Sequence, residues 1–202
     1  DDFKNIKVEE AINHPIWNMG EKISIDSATM VNKGLEVIEA KYLFDLEVNK
    51  INVLIHPQAI VHGFITYKDN SIFTFMSYPD MQIPISNLLF PNKEVNFDDL
   101  YLDLAKIQTL NFFDINEKKF PAIKYAKEVV SIGGLAPNGF NYANEKLVNL
   151  FLSKKINFID IVNFNMVTID KFFAKNSNIE RPTIEDIFNF NKWIDENIYL
   201  GD

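Results

Sequence analysis

Apolar positions recur at helical spacing through the C-terminal part of the chain. Four helices are predicted there: one between Pro121 and Gly133-Gly134, one over residues 138–154, one over residues 158–175 capped by Asn157, and one that a Thr183/Asp186 capping box opens and that ends near Tyr199. The short connections favour antiparallel neighbours, so this part is predicted to be an all-α bundle.

The N-terminal part mixes strand and helix patterns. Residues 22–26 alternate and predict a short strand or extended entry. Ser27 is then expected to cap a helix whose apolar positions are Met30, Leu35, Ile38, Tyr42 and Leu43.

Further strands and a helix are predicted between residues 52 and 90. Residues 52–56 form an apolar run that Pro57 closes, which predicts a buried strand. Residues 59–68 and 71–77 predict a hairpin, because both residues of the Asp69-Asn70 turn tolerate positive φ. Residues 81–90 predict a short helix with Pro84 in its first turn.

Composition narrows the possible functions. The 202 residues include 28 acidic and 20 basic ones, for a net charge of −8, and no cysteine. The acidic balance argues against nucleic acid as a partner, and the missing thiols exclude disulfides, thiolate metal sites and a cysteine nucleophile. No apolar run approaches the roughly 18 residues that span a membrane, and the first four residues do not resemble a signal peptide.

The densest candidate chemistry lies between Ser27 and Glu36. A serine at a helix start would lie beside free N–H groups, which favour an anion such as phosphate. Asn32 and Lys33 would add a donor and a positive charge, and Glu36 would lie on the same helical face and suit Mg²⁺ with ligands from elsewhere. The alternative is an ordinary helix start with a surface ion pair.

Other polar and aromatic positions have both functional and structural interpretations. His14 and Trp17 lie in a loop, and Trp17 and Met19 also suit simple packing. His56 is either near a site or packed in the core, and His62 suits packing or a dimer surface. Structural roles are expected for Asn144-Glu145, as a hydrogen-bonding pair, and for Trp193, as a core residue.

Several of these segments together resemble the 1-deoxy-D-xylulose 5-phosphate reductoisomerase family. The resemblance is carried by His14-Pro-x-Trp-x-Met-Gly, by Lys22-Ile-Ser-x-Asp-Ser-Ala-Thr-Met-x-Asn-Lys-Gly-Leu-Glu, by residues 54–62 and 78–81, and by Asn141-Tyr-Ala-Asn-Glu. It covers most of the 202 residues, so it is far more specific than a short motif.

The resemblance implies an enzyme that isomerises and reduces 1-deoxy-D-xylulose 5-phosphate to 2-C-methyl-D-erythritol 4-phosphate, with NADPH and Mg²⁺ or Mn²⁺. It implies substrate binding by Ser27, Asn32, Lys33, His14 and Trp17, with the last two in a mobile lid. It implies a catalytic role for His14, Trp17, Lys33 and Glu36, with Glu36 as a metal ligand. Met19, Gly20 and Met81 are implied near the nicotinamide. Phosphonate hydroxamates are implied inhibitors.

The implied fold is an α+β catalytic domain with a mixed sheet and dimer-forming strands, followed by a linker and an all-α C-terminal helical bundle. The corresponding ranges are 1–92, 93–120 and 121–202, with residues 59–77 as candidate strands of a homodimer. The family's Gly-rich NADPH domain and its other two metal carboxylates have no counterpart here, so the chain alone is expected to be inactive.

Two further expectations remain open. The alternative function is a non-catalytic module that retains the fold for dimerisation or phosphate binding. The family and the richness in Asn, Ile, Lys and Phe imply a plastid-type organelle (an apicoplast) if the source is eukaryotic, and otherwise the bacterial cytoplasm.

Overall fold

A computed structural model describes residues 3–13 and 19–201 and shows a helix-rich α+β fold with small sheets. Its contacts divide the described chain into two units, one formed by the residues up to Val53 together with those from Asn116, and the other by Leu54–Ile115. The helices of the first unit are α1 (Val8–Ala11), α2 (Glu21–Ala28), α3 (Val31–Phe44), α6 (Ala122–Ile132), α7 (Ala136–Leu152), α8 (Phe158–Phe173) and α9 (Ile184–Asn197).

The core of the first unit is formed between helices that are far apart in sequence. Helix α3 packs on α6, and α7 packs on α8, α9 and α2. The largest fully buried side chains include Phe140 of α7, Ile161 of α8 and Phe190 of α9. Since α3 shares this core with the C-terminal helices, residues 31–44 group with them rather than with the strands that follow.

The four C-terminal helices confirm the predicted pattern. Pro121 precedes the first residue of α6, and Gly133 ends that helix with a φ of 70° that suits glycine. At the start of α9, the Asp186 amide donates to Thr183 Oγ1 at 3.2 Å and the Thr183 amide donates to Asp186 Oδ2 at 2.8 Å. This is the expected capping box.

The second unit contains β1 (Leu54–Ile55), β2 (Val61–Thr66), β3 (Ile72–Met76), α4 (Gln82–Leu89), α5 (Leu104–Ile107) and β4 (Phe113–Asp114). The β2–β3 hairpin is confirmed, and Asn70 in its turn has a φ of 66°. The helix predicted around Pro84 is also confirmed as α4. Strand β1 pairs with β4, and because both pairings are antiparallel the described strands do not form a mixed sheet.

Three local predictions are wrong. Residues 22–26 lie in helix α2 rather than in a strand, since a helix buries Ile25 and places Lys22 within reach of Asp26 one turn later. The strand predicted over 52–56 is only two residues long, and Leu54 is 44% exposed rather than buried. The apolar face predicted for α3 is wrong in part: Ile38 is buried and Leu35 packs against the core, but Met30 precedes the helix and Tyr42 and Leu43 are exposed.

The two units follow different boundaries from the predicted ranges 1–92, 93–120 and 121–202. That three-part organisation refers to the family's domains and stays a prediction. Over residues 3–13 and 19–201, no helix combines the length and the apolar character needed to cross a membrane.

Candidate functional site

The predicted site residues lie around a corner that joins helices α2 and α3. Met30 turns the chain with a φ of 63°, a left-handed conformation that is costly for a residue other than glycine. Buried Thr29 stabilises this turn: its Oγ1 donates to the Ile25 carbonyl at 2.9 Å and lies 3.4 Å from the Val31 amide, from which it accepts. The corner is therefore well defined.

The position of Ser27 in this corner differs from the prediction. Ser27 lies in the last turn of α2, where its carbonyl accepts from the Met30 amide at 3.1 Å. It does not cap a helix, because the next helix starts at Val31. The positive end of a helix dipole lies instead at the first turn of α3, which carries Asn32 and Lys33.

Glu36 connects the polar side chains of this first turn. The Asn32 amide donates to Glu36 Oε1 at 3.0 Å, and the Lys33 ammonium donates to Glu36 Oε2. The side chains of Lys33 and Glu36 are 41% and 46% exposed. Such a surface pair is worth at most about 1 kcal/mol, so a phosphate or a metal ion can replace either partner at little cost.

Asn32, Lys33 and Glu36 were predicted to share one face of a helix, and their direct contacts confirm this. Their roles in binding and catalysis stay predictions. A divalent cation needs more oxygen ligands than Glu36 provides. Among the residues that the structure describes, no group of three His, Asp or Glu side chains could hold a metal ion. The described residues by themselves therefore do not form a magnesium site.

The remaining predicted site residues are spread along the chain. His14 and Trp17 lie outside the described residues. Gly20 precedes α2, and its carbonyl accepts from the Ser24 amide and from Ser24 Oγ at 3.1 and 3.0 Å. Met19 is partly buried, and Met81 is an exposed residue just before α4 in the second unit.

Two histidines of the second unit have defined partners. His56 Nδ1 lies 2.8 Å from the Asn111 carbonyl oxygen, and its ring stacks on Phe112 with centroids 4.6 Å apart. These contacts favour the packing interpretation of His56. His62 Nε2 lies 3.0 Å from Ser77 Oγ on the neighbouring strand of the hairpin.

Sequence reasoning did not identify Asp26, which is almost fully buried directly before Ser27. Its Oδ2 accepts from Lys22 Nζ at 2.7 Å, and its Oδ1 accepts from Asn144 Nδ2 at 2.7 Å. Asn144 was predicted to form a hydrogen-bonding pair with Glu145, but the side-chain partner that the structure gives it is Asp26. The four-residue spacing from Lys22 was the one local signal that could have marked Asp26.

Two protein-family models match the sequence. The one described as the DXP reductoisomerase C-terminal domain matches residues 76–197, and the one described as the 1-deoxy-D-xylulose 5-phosphate reductoisomerase C-terminal domain matches residues 1–44. The first of them alone covers more than half of the chain.

Curated relatives carry the same family name. The 1-deoxy-D-xylulose 5-phosphate reductoisomerase of Sulfurihydrogenibium sp. (strain YO3AOP1) is 45% identical over 201 residues, which are 100% of this chain and 52% of that protein. The protein of that name from Acetivibrio thermocellus is 44% identical over 195 residues, which are 96% of this chain and 50% of that protein. The chain therefore spans about half the length of the curated relatives it matches.

Solved structures are similar over nearly the whole chain. The reductoisomerase from Zymomonas mobilis in complex with NADPH has a TM-score of 0.82 and 37% identity, covering 94% of this chain and 48% of that one. A DOX-P reductoisomerase in complex with NADPH, fosmidomycin and magnesium has a TM-score of 0.86 and 38% identity, covering 96% of this chain and 49% of that one.

Proposed function

The chain belongs to the 1-deoxy-D-xylulose 5-phosphate reductoisomerase family, and from that premise we propose that it provides the substrate-binding and C-terminal parts of such an enzyme. The reaction is the NADPH- and divalent-metal-dependent conversion of 1-deoxy-D-xylulose 5-phosphate to 2-C-methyl-D-erythritol 4-phosphate in non-mevalonate isoprenoid biosynthesis. The observation that supports this most strongly is the contact between Asn32, Lys33 and Glu36 at the start of α3.

In this proposal the substrate phosphate binds at the α2–α3 corner. Asn32 donates from its amide, Lys33 donates from its ammonium, and Ser27 donates from its hydroxyl. The N-terminal end of α3 adds the favourable field of its dipole. Because the phosphate is remote from the reacting carbons, its binding energy serves to position the rest of the substrate.

Glu36 is proposed as one carboxylate ligand of Mg²⁺ or Mn²⁺. When phosphate takes over Lys33 and Asn32, both oxygens of Glu36 become free. The relatives are about twice as long as this chain, so the other ligands and the site for the adenosine end of NADPH would lie in the part of their sequence that this chain does not match.

His14 and Trp17 are proposed to cover the substrate, with Met19, Gly20 and Met81 near the nicotinamide. Excluding water from the site would protect the hydride transfer. Phosphonate hydroxamates that mimic the substrate are proposed as inhibitors; the similar structure that contains NADPH, fosmidomycin and magnesium supports the binding of an inhibitor at such a site.

The apolar hairpin is proposed as a homodimer surface. Phe64 and Ile65 of β2 and Phe73 and Phe75 of β3 are large side chains that are about half exposed. An apolar area of this kind is typical of a protein interface. We also retain the division at residues 92 and 120 and the location in an apicoplast or a bacterial cytoplasm as proposals.

The activity test follows NADPH absorbance with 1-deoxy-D-xylulose 5-phosphate and Mg²⁺. It compares the 202-residue chain with a chimera in which the unmatched half of the Sulfurihydrogenibium relative precedes this chain. We expect turnover by the chimera and none by the chain alone. A folded chimera without turnover, next to an active relative, would contradict the proposed enzyme.

The role of Glu36 is tested in the chimera by Glu36→Gln. Turnover should fall by more than about a hundredfold, because a metal ion supplies several kcal/mol of charge stabilisation. Glu39→Gln is the matched control, since Glu39 is an exposed glutamate of the same helix. Equal turnover by Glu36→Gln and Glu39→Gln would show that Glu36 is not a ligand of the metal ion.

The alternative is a non-catalytic phosphate-binding or dimerisation module. The exposed Lys33 at a helix start and the exposed hairpin suit this function as well. It predicts phosphate binding or dimer formation by a protein whose chimera does not oxidise NADPH, so the same assay separates the two functions.

A further inference from the structure

Asp26 is a buried carboxylate with both oxygens bound. It is 1% exposed; Lys22 Nζ and Asn144 Nδ2 donate to its two oxygens at 2.7 Å each. A buried charge is strongly unfavourable unless it is paired and hydrogen-bonded. Removing Asn144 would leave Oδ1 of this buried carboxylate without its donor, while Lys22 would still bind Oδ2.

Asn144 is the long-range half of this arrangement. It lies fully buried in α7, 118 residues after Asp26. Its Oδ1 has no partner among the described residues, so within that part of the chain its side-chain hydrogen bond is the one from Nδ2 to Asp26. This bond ties the helical core to α2, in line with the packing of α2 on α7.

The α2–α3 corner transmits this anchoring to the candidate site. The single hydroxyl hydrogen of Thr29 is shared between the carbonyls of Ile25 and Asp26, which lie 2.9 and 3.2 Å from Oγ1. The same Oγ1 accepts from the first amide of α3, that of Val31. Ser27 follows Asp26 directly, and Lys33 lies two residues beyond Val31. Asp26 is thus connected by hydrogen bonds to the start of α3.

We propose that Asp26 and Asn144 are positioning residues that hold the α2–α3 corner in the geometry that binds phosphate. They do not touch the phosphate themselves. Asn144 connects the C-terminal helices to the site, so these helices set the relative placement of Ser27 and Lys33. The inference rests on the proposed phosphate site, and positional errors near 1 Å at such a site reduce binding and rate strongly.

The first test compares Asn144→Ala with Asn165→Ala. Asn165 is a matched control, because it is also fully buried, donates from Nδ2 to a backbone oxygen, that of Phe140, at 2.8 Å, and leaves its Oδ1 unpartnered. Each variant loses one buried side-chain hydrogen bond; the bond of Asn144 goes to Asp26 next to the corner, whereas that of Asn165 goes to Phe140 within the helical core.

Hydrogen exchange of the 202-residue chain measures the stability of the α2–α3 corner directly, through the protection of its backbone amides. The amides of Met30 and Gly34 donate within the corner, to the carbonyls of Ser27 and Met30. We expect their exchange to accelerate about tenfold or more in Asn144→Ala and to stay within about twofold of wild type in Asn165→Ala. Equal protection of these amides in both variants would overturn the inference, whether or not phosphate binds.

Titration with inorganic phosphate, followed by the amide shifts of Ser27, Asn32 and Lys33, tests the consequence. We expect the Kd to rise about tenfold in Asn144→Ala and to change less than about twofold in Asn165→Ala. A wild-type chain that binds no phosphate would contradict the phosphate site, while the exchange data still decide on the anchoring. If the wild-type chain binds phosphate and the Kd is unchanged in Asn144→Ala, the positioning role proposed for Asn144 is wrong.

A reversed pair provides the rescue. Asn144→Asp alone places two carboxylates together, and we expect it to disturb the corner at least as much as alanine. Asp26→Asn combined with Asn144→Asp restores a hydrogen bond with donor and acceptor exchanged, and it should restore corner protection to within about threefold of wild type. A folded double variant with an unprotected corner would exclude this hydrogen bond as the cause.

Discussion

Replacement of Gly34 by alanine tests how closely α3 approaches α6. A Cβ atom at Gly34 would lie 2.9 Å from the Cβ of Ala126, 3.3 Å from the Ala122 carbonyl oxygen and 3.5 Å from the ring of Phe140. The two nearest atoms belong to a helix backbone or are fixed to it, so no side chain can rotate away. The helices themselves would have to separate.

Two opposing effects determine the size of the change. In an exposed helix, replacing glycine by alanine stabilises by about 1 kcal/mol. Here the added methyl would have to move from 2.9 Å to the optimal carbon–carbon distance of about 3.5–4.0 Å. Overpacking of this kind costs about 1–3 kcal/mol, and with little room for relaxation we take the upper part of that range. We therefore expect Gly34→Ala to lower the free energy of unfolding by about 1–2 kcal/mol.

The assay is urea unfolding of the wild type, Gly34→Ala, Ala126→Gly and the double variant, followed by circular dichroism. The double variant removes the Cβ that the new methyl meets at 2.9 Å. If the two substitutions acted independently, the effects of the single variants would add. We expect the double variant to be more stable than that sum by about 1 kcal/mol or more. A Gly34→Ala variant more stable than wild type, with no coupling to residue 126, would refute the close approach.

Three other changes have defined expected outcomes. Phe140→Ala should destabilise by about 3–5 kcal/mol in urea unfolding, because its ring is fully buried; a loss below about 1 kcal/mol would contradict the packing. Asn70→Ala should lower hairpin stability by about 1 kcal/mol while Asn70→Gly is tolerated, since φ is 66°; equal hairpin amide exchange in both variants would contradict this. Hydrogen bonds from Thr183 hold the pKa of Asp186 below its usual value. The ionised carboxylate of Asp186 therefore stabilises the folded protein at pH values above its unfolded pKa, and this stabilisation is lost as the pH falls through its folded pKa. Asp186→Asn should therefore be less stable than wild type at neutral pH and equal to it in strong acid, and a difference that persists in acid would exclude the carboxylate charge as the cause.

Elements with strong local signals were predictable. The capping box of α9, Pro121 before α6 and Asn70 in the hairpin turn each act within a few residues of their own position. The contact between Lys33 and Glu36 was likewise predictable from a spacing of three residues. In these cases one turn of backbone contains both the signal and its partner.

The failures lie where tertiary packing, rather than the local sequence, selects the structure. Residues 22–26 alternate like a strand, but burial of Ile25 against the helical core favours helix. Ser27 looked like a cap because the start of α3 at Val31 depends on a left-handed turn at Met30, and methionine does not indicate such a turn, which is typical of glycine. Short periodic segments fit two structures, and packing selects between them.

The sequence by itself determined the family, the C-terminal helices, the hairpin and the grouping of Asn32, Lys33 and Glu36. Only the tertiary structure decided that Gly34 lies against Ala126 and that Asp26 is anchored by Asn144. The physical reason is the range of the interactions. Caps, turns and one-turn side-chain pairs are fixed by neighbours along the chain, whereas the partner of a buried carboxylate 118 residues away is fixed by how whole helices pack.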